Sequence, residues 1–325
     1  MLHNISFCHA LKGMLRPQIV LVGNGLERNS GQPSWETLVQ SITVPDCIKL
    51  TEQQRKETPF PLLYEILSSH SPSPHILAKE EIDAEESRLA AAMKQLKHTS
   101  NEILDLLPSL DADHIFTTNY SYCIEQAFYP GRDFSNATAR SKIRFNLNPL
   151  SRNTKPVREQ YYRLHTGYLC KSENKMTGIW HIHGECAVPR GIVLGHDRYG
   201  RMLSRIEAIC SSQKYGTMKV SLEPREYHSW PELFLFGDVY IIGFGFYECE
   251  FDLWWLLRRK QRERFGDGKV FFYERQKKNL KQNLLQAHGV VLPNIKTKSK
   301  DYDEFYYAAI EDIRNKIRKT RNASE

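Results

Sequence analysis

The sequence holds no CxxC pair, although it has seven cysteines: Cys8, Cys47, Cys123, Cys170, Cys186, Cys210 and Cys249. An odd number at scattered positions excludes a regular disulfide framework and fits reduced thiols. Long apolar runs are missing too. The longest candidates, Gln18–Val22 and Val239–Phe246, fall far short of the roughly 18 consecutive apolar residues that a membrane span needs. Met1–Leu15 shows neither a continuous apolar stretch nor a small-residue cleavage site, so a cytoplasmic protein that does not enter a membrane is expected. With 41% hydrophobic and 26% charged residues, the composition excludes the disordered, collagen-like and coiled-coil classes. Its 325 residues suit one large domain or two small ones.

Positive charge is scarce over most of the chain. The net charge of +7 comes from 45 basic and 38 acidic residues. From Trp255 onward there are 18 Lys/Arg and 9 Asp/Glu, which leaves the first 254 residues at 27 − 29 = −2. The basic excess is C-terminal, in Arg258, Arg259, Lys260, Arg262 and Arg264 and then Lys316, Arg318, Lys319 and Arg321. Such a face could touch nucleic acid, but no interleaved aromatics mark a stacking platform, and a solvated helix surface is the ordinary reading.

What is present is an alternation of strands and helices. Gln18–Val22 is a short β-branched run that ends in Gly23-Asn24-Gly25, and Ser34 with Glu36 reads as the following helix start. Residues 51–110 carry helical spacing at Leu62, Leu63, Ile66, Leu67, Leu89, Met93 and Leu96, broken by Ser-Pro-Ser-Pro at 71–74. His114–Thr118 reads as a strand with Asn119 at its end, and residues 131–178 as loop with short pieces of structure. Further strands are expected at 179–183, 191–194, 238–242, 269–273 and 290–292, with helices at 199–209, 251–264 and 277–287. This pattern predicts a mostly parallel sheet covered on both faces.

Ligands of such sheets bind beyond the strand C-termini, so the residues there are the candidates. Gly23-Asn24-Gly25 would let a phosphate approach the backbone, although a glycine pair after a strand is often only a tight turn. Asn119, after Thr117-Thr118, places a carboxamide at the mouth of the sheet, where an Asn is more often a helix cap. His181 and His183 are two same-face histidines, but no third ligand stands at readable spacing, so no metal is expected and a lone imidazole suits a general base better. Gly243-Phe244-Gly245 is a second close-approach turn, followed by Glu248, Glu250 and Asp252, which could bind ribose hydroxyls or simply favour the next helix start.

Taken in order, these strand ends resemble the sirtuin fold, and more closely the sirtuin-like NAD hydrolase domains of bacterial antiphage defence systems. The matching pieces are Leu21-Val-Gly-Asn-Gly25 with Ser30-Gly31-Gln-Pro33-Ser34-Trp35, then Phe116-Thr-Thr-Asn-Tyr120, Ile179-Trp-His-Ile-His-Gly-Glu185 and Gly191–Gly200. Ser229–Phe234, Val239–Gly245 and Glu250–Leu257 complete the series. The resemblance implies an α/β, Rossmann-like, doubly wound, mostly parallel sheet over residues 1–295, with the helical module at about 51–110 inserted in place of the sirtuin zinc module, and a basic helical tail at 296–325. By the same resemblance Gly23, Asn24 and Gly25 would line the phosphates and nicotinamide ribose of NAD, with Ser30, Trp35 and Thr118 beside them. Asn119 would orient the reacting ribose or water, and His183, the histidine followed by glycine, would be the base, leaving His181 structural. Gly243, Gly245 and Glu250 would serve the adenosine side. Ser121 departs from the acidic residue that the family often carries after its Asn-Tyr pair.

The implied activity is hydrolysis of the nicotinamide–ribose bond of NAD, without zinc, gated by a partner protein of a defence system or by self-assembly. A non-catalytic sensor of NAD or ADP-ribose derivatives, an NAD-dependent protein deacylase and a nucleic-acid-binding protein are the alternatives.

Overall fold

The computed structural model describes residues 16–33, 35–68, 78–147, 162–172, 175–210, 226–263, 267–275, 279–297 and 301–323. Eight strands form one sheet: β1 (Gln18–Val22), β2 (His114–Thr117), β3 (Arg144–Asn146), β4 (Thr166–Lys171), β5 (Met176–His181), β6 (Asp238–Ile242), β7 (Val270–Tyr273) and β8 (Val290–Val291). Their order is β3-β4-β5-β2-β1-β6-β7-β8. The six from β5 to β8 are parallel, and β4 and β3 add an antiparallel edge. The chain winds outward from β1 to β5, then returns to place β6 on the other side of β1, which makes β1 the turning point of a doubly wound sheet. His181, Thr117, Val22, Ile242 and Tyr273 share one row of the register, so the turns after β5, β2, β1 and β6 open onto one crevice.

The helices are α1 (Trp35–Ile42), α2 (Glu52–Glu57), α3 (Phe60–Ser68), α4 (Ala78–Met93), α5 (Cys123–Phe128), α6 (Ala137–Ser141), α7 (His196–Cys210), α8 (Trp230–Phe236), α9 (Phe251–Glu263), α10 (Leu280–Ala287) and α11 (Tyr302–Asn322). None among the described residues is long and apolar enough to cross a membrane. All five residues of β1 are buried, which is why it reads as a continuous apolar run. Its alternate side chains feed two cores. Ile19 and Leu21 join Phe116, Trp180, Val239, Trp230, Leu253 and Leu256 on one face. Val20 and Val22 join Ile115, Ile179, Leu104, Leu107, Phe305 and Ile313 on the other. A third cluster unites Leu38 of α1, Tyr64 of α3 and Leu89 and Met93 of α4 with Tyr120 and with Ile192 and Leu194. The helical module is thereby seated on the crevice end of β2.

Several expectations change. The apolar run at 191–194 is buried but makes no ladder: Pro189–Gly191 is a 3-10 turn, and only the Val193 amide reaches across, to the His183 carbonyl at 2.9 Å. Residues 131–178, expected as loop with short pieces of structure, hold such pieces: α6, β3, β4 and the start of β5. The expected basic tail is the helix α11, and it is not a loose appendage, because Phe305, Tyr306, Ile310, Ile313 and Ile317 are buried against the sheet. Its cations are partly spent at home: Lys316 pairs with Asp312 and Arg321 with Asp113. Lys260 is likewise not part of a solvated face. It is buried and donates to the carbonyls of Phe234, Leu235 and Gly237 at 3.0, 2.9 and 2.7 Å, closing the C-terminus of α8. Ser34, the side chains of Trp35 and Glu36, the 71–74 break and Arg264 lie outside the described residues.

Candidate active site

The turn after β1 is held shut against the turn after β6. Instead of running straight into α1, the chain makes two 3-10 turns, Asn24–Leu26 and Arg28–Ser30. The Gly23 amide donates to the Ile242 carbonyl at 3.0 Å, and the Gly25 amide to the Gly243 carbonyl at 2.7 Å. A Cβ on Gly23 would stand 2.5 Å from the Gly243 oxygen, and one on Gly25 would stand 2.7 Å from it. Gly243 itself has φ 65°, a left-handed conformation natural to glycine. These glycines therefore let two backbones touch at the turning point of the sheet. Ser30 accepts from Asn101 Nδ2 at 2.9 Å, which ties the second turn to the segment after α4. Gly245 lies against the Tyr247 ring, and its carbonyl accepts from Lys281 at 2.9 Å.

Beside this closure lies a pocket, open at its mouth and lined by Asn24, Glu27, Gln32, Pro33, Leu38, Leu96, Asn119, Tyr120 and Ser121. Asn119 follows β2 and the buried Thr118, and its amide donates to Thr117 Oγ1 at 3.0 Å. It is only 4% exposed, yet neither Oδ1 nor Nδ2 has a hydrogen-bond partner. Glu27 Oε1 and Gln32 Oε1 in the same pocket are also buried and unpartnered. Unpaired buried polar atoms are costly, so their gathering in one pocket makes it the candidate place for a polar ligand or water. The other oxygen of Glu27 accepts from Ser121 Oγ at 2.6 Å. Burial pushes the Glu27 carboxyl above the usual carboxylate range, against the Ser121 hydroxyl that bonds it and the neighbouring Asn119 side chain and His181 ring, which lie close without a hydrogen bond to it.

The two histidines of the His-Ile-His-Gly stretch part company, because β5 ends at His181 and the chain turns. His181 has Nδ1 3.0 Å from the Asn119 carbonyl and Nε2 2.9 Å from Glu125 Oε1. Both neighbours are acceptors, so either both ring nitrogens or Glu125 must carry a proton. His181 thus fixes the backbone of Asn119. His183 is not the lone imidazole expected of it. Its Nε2 lies 3.0 Å from Asp252 Oδ2 and its Nδ1 3.8 Å from Glu250 Oε2, and Tyr199 donates to that same Glu250 oxygen at 2.8 Å. Burial opposes its charge, but Asp252, and then Glu250, outweigh burial and raise the imidazole above its ordinary value. Burial likewise raises Glu250, against the pull of His183.

Among the described residues, His183, Glu250 and Asp252 form a grouping that could hold a metal ion, with ligand atoms within 4.8 Å of one another. His183 and Asp252 are already hydrogen-bonded to each other at 3.0 Å, although Asp252 Oδ1 is left without a partner. Of the residues anticipated from the sequence, Asn24 and Asn119 meet in the pocket, and Gly23, Gly25 and Gly243 meet in the closure behind it. Glu250 joins His183 in a separate cluster, and neither lines the pocket. Glu27, Gln32 and the pairing of Asp252 with His183 went unanticipated, since each depends on contacts between distant parts of the chain.

Residues 113–255 match the family model of the SIR2-like domain. The matched stretch, 143 of the 325 residues, is similar to a sirtuin-like domain and takes in Asn119, His183, Glu250 and Asp252; SIR2-like domains bind NAD. No curated protein matches the chain.

Proposed function

Starting from that sirtuin-like domain, we propose that the protein hydrolyses the nicotinamide–ribose bond of NAD to nicotinamide and ADP-ribose. The observation that carries this reading is Asn119, whose buried carboxamide has both polar atoms unpartnered at the turning point of a doubly wound sheet. A ribose hydroxyl or the attacking water would complete those bonds. Nicotinamide is cationic while bonded and leaves as a neutral molecule, so the ribose passes through an oxocarbenium-like state of the glycosidase kind and needs little acid catalysis. Gly23, Asn24 and Gly25, with Ser30, Trp35 and Thr118, are proposed along the nicotinamide ribose and phosphates, and Gly243, Gly245 and Glu250 toward the adenosine side.

His183 is the proposed base toward a ribose hydroxyl. With Asp252 accepting from Nε2–H, the lone pair is left on Nδ1, the tautomer a base requires. Water serves as acceptor in this reading because the chain lacks the cysteine pairs of the deacylase zinc module. We also propose that the enzyme is a cytoplasmic NAD-depleting effector of antiphage defence, switched on by a partner or by self-assembly, since unregulated loss of NAD would harm its host. The exposed Ile48, Leu62 and Ile82 on and beside the helical module offer contact points. The test is to incubate the purified protein with NAD over a range of protein concentrations and follow nicotinamide, beside His183→Ala. Release that rises faster than protein concentration and is lost in the variant supports the reading. NAD bound without release in any sample supports a sensor instead.

A further inference from the structure

Four features set Glu27 apart from the other carboxyl groups near the crevice. It is in the pocket, whereas Glu250 and Asp252 are in the His183 cluster. It is 2% exposed, and its Oε1 has no partner although Oε2 is anchored on Ser121 at 2.6 Å. It lines the same walls as the unpartnered amide of Asn119. It is also placed by a rigid device, the junction of two 3-10 turns whose backbone is pinned to Gly243. A carboxylate anchored through one oxygen, with the other buried at the pocket and without a protein partner, is arranged to take a proton from whatever enters beside Asn119.

We infer that Glu27 is a second catalytic group of this site, the acceptor of the proton from the attacking water. The inference rests on the hydrolase reading and deepens it. In the step, the water oxygen bonds to C1′ of the ribose as the C1′–N bond breaks. The bonding pair leaves on the nicotinamide nitrogen, and one water proton passes to Glu27 Oε1. ADP-ribose and neutral nicotinamide result, and Glu27 then returns the proton to solvent. Ser121 takes on a new meaning here. The position after the Asn-Tyr pair carries a hydroxyl rather than an acid, and the carboxylate reaches the pocket from the opposite turn, hydrogen-bonded to that hydroxyl. The titratable groups facing Glu27 are His181, Glu125 and Cys123. The imidazole favours its ionised form, while burial and Glu125 favour the neutral one, which poises the carboxyl above the range of a surface glutamate.

The test compares Glu27→Gln, Glu27→Ala, Asn119→Ala and the wild-type chain, measuring NAD binding by calorimetry and nicotinamide release from pH 5 to 9. Glu27→Gln is expected to bind NAD, to release nicotinamide about 10²- to 10⁴-fold more slowly, and to lose the acid limb of the wild-type profile that belongs to Glu27. Sodium azide, a nucleophile with no proton to give up, is expected to restore release in Glu27→Ala but not in Asn119→Ala. Release by Glu27→Gln within a few-fold of wild type, or slow release that azide leaves untouched while NAD still binds, overturns the role of Glu27 and leaves the hydrolase reading standing. No release from the wild type at any protein concentration overturns both.

Discussion

The pocket at Asn119 and the cluster around His183 stand at the ends of neighbouring strands, β2 and β5, and are built in opposite ways. In the pocket, Asn119, Glu27 and Gln32 all present buried atoms without partners. In the cluster, His183 bonds Asp252 through Nε2 and lies 3.8 Å from Glu250 through Nδ1, Tyr199 bonds Glu250, and Asp252 Oδ1 is buried without a partner. The first arrangement costs stability and is completed from outside, as expected of a binding site. The second is completed from inside and holds a charge in place. On the proposed reading, the pocket holds the ligand and the cluster sets the protonation of His183, the proposed base.

The strongest way to break that comparison is to open the cluster. Asp252→Ala leaves a buried imidazole without its main counter-charge, and unfolding in denaturant should show a loss of about 3–5 kcal/mol. The matching change in the pocket, Asn119→Ala, removes atoms that bond to nothing, so stability should move by no more than about 0.5 kcal/mol while nicotinamide release falls about 10²- to 10³-fold. Equal destabilisation by the two variants would erase the distinction.

A finer test uses pH. The folded-state value of His183 is raised above the unfolded 6.5, so its contribution is fully present below about 6.5 and is lost as pH rises through the folded value. The stability difference between wild type and His183→Gln should therefore shrink as pH climbs above 6.5, by at most about 1.4 kcal/mol per pH unit. Release should rise over the same window, because the base works only when deprotonated. The smallest effect is expected from an ion pair outside both regions: Lys316→Ala on α11 breaks a half-exposed pair with Asp312 and should cost less than about 1 kcal/mol in the same denaturant titration.

The parts of this architecture that lie in one stretch of chain were legible in the sequence. β1 running into Gly23-Asn24-Gly25, β2 into Asn119 and β6 into Gly243 each announce themselves within a few residues, because a buried parallel strand must end in a turn and a close approach needs glycine. The parts built by distant residues were not. Asp252 was visible only as a carboxylate for ribose hydroxyls or for the helix start, since its bond to His183 spans 69 residues. Glu27 gave one indirect signal: with Ser121 where an acid was expected, the missing carboxylate could be sought elsewhere, and it lies 94 residues away. The run at 191–194 misled because apolar β-branched residues report burial, and burial there comes from the helical module for Ile192 and Leu194 and from the main core for Val193, not from strand pairing.

The central claim, that the unpartnered groups around Asn119 are where NAD is held and cut, is tested most directly by one paired measurement. Nicotinamide release and melting temperature are followed in the same samples of wild type and Asn119→Ala, at several protein concentrations with saturating NAD. The account predicts release from the wild type, its loss in the variant and an unchanged melting temperature without NAD. Release that survives in Asn119→Ala, or that fails in the wild type at every concentration, would contradict it.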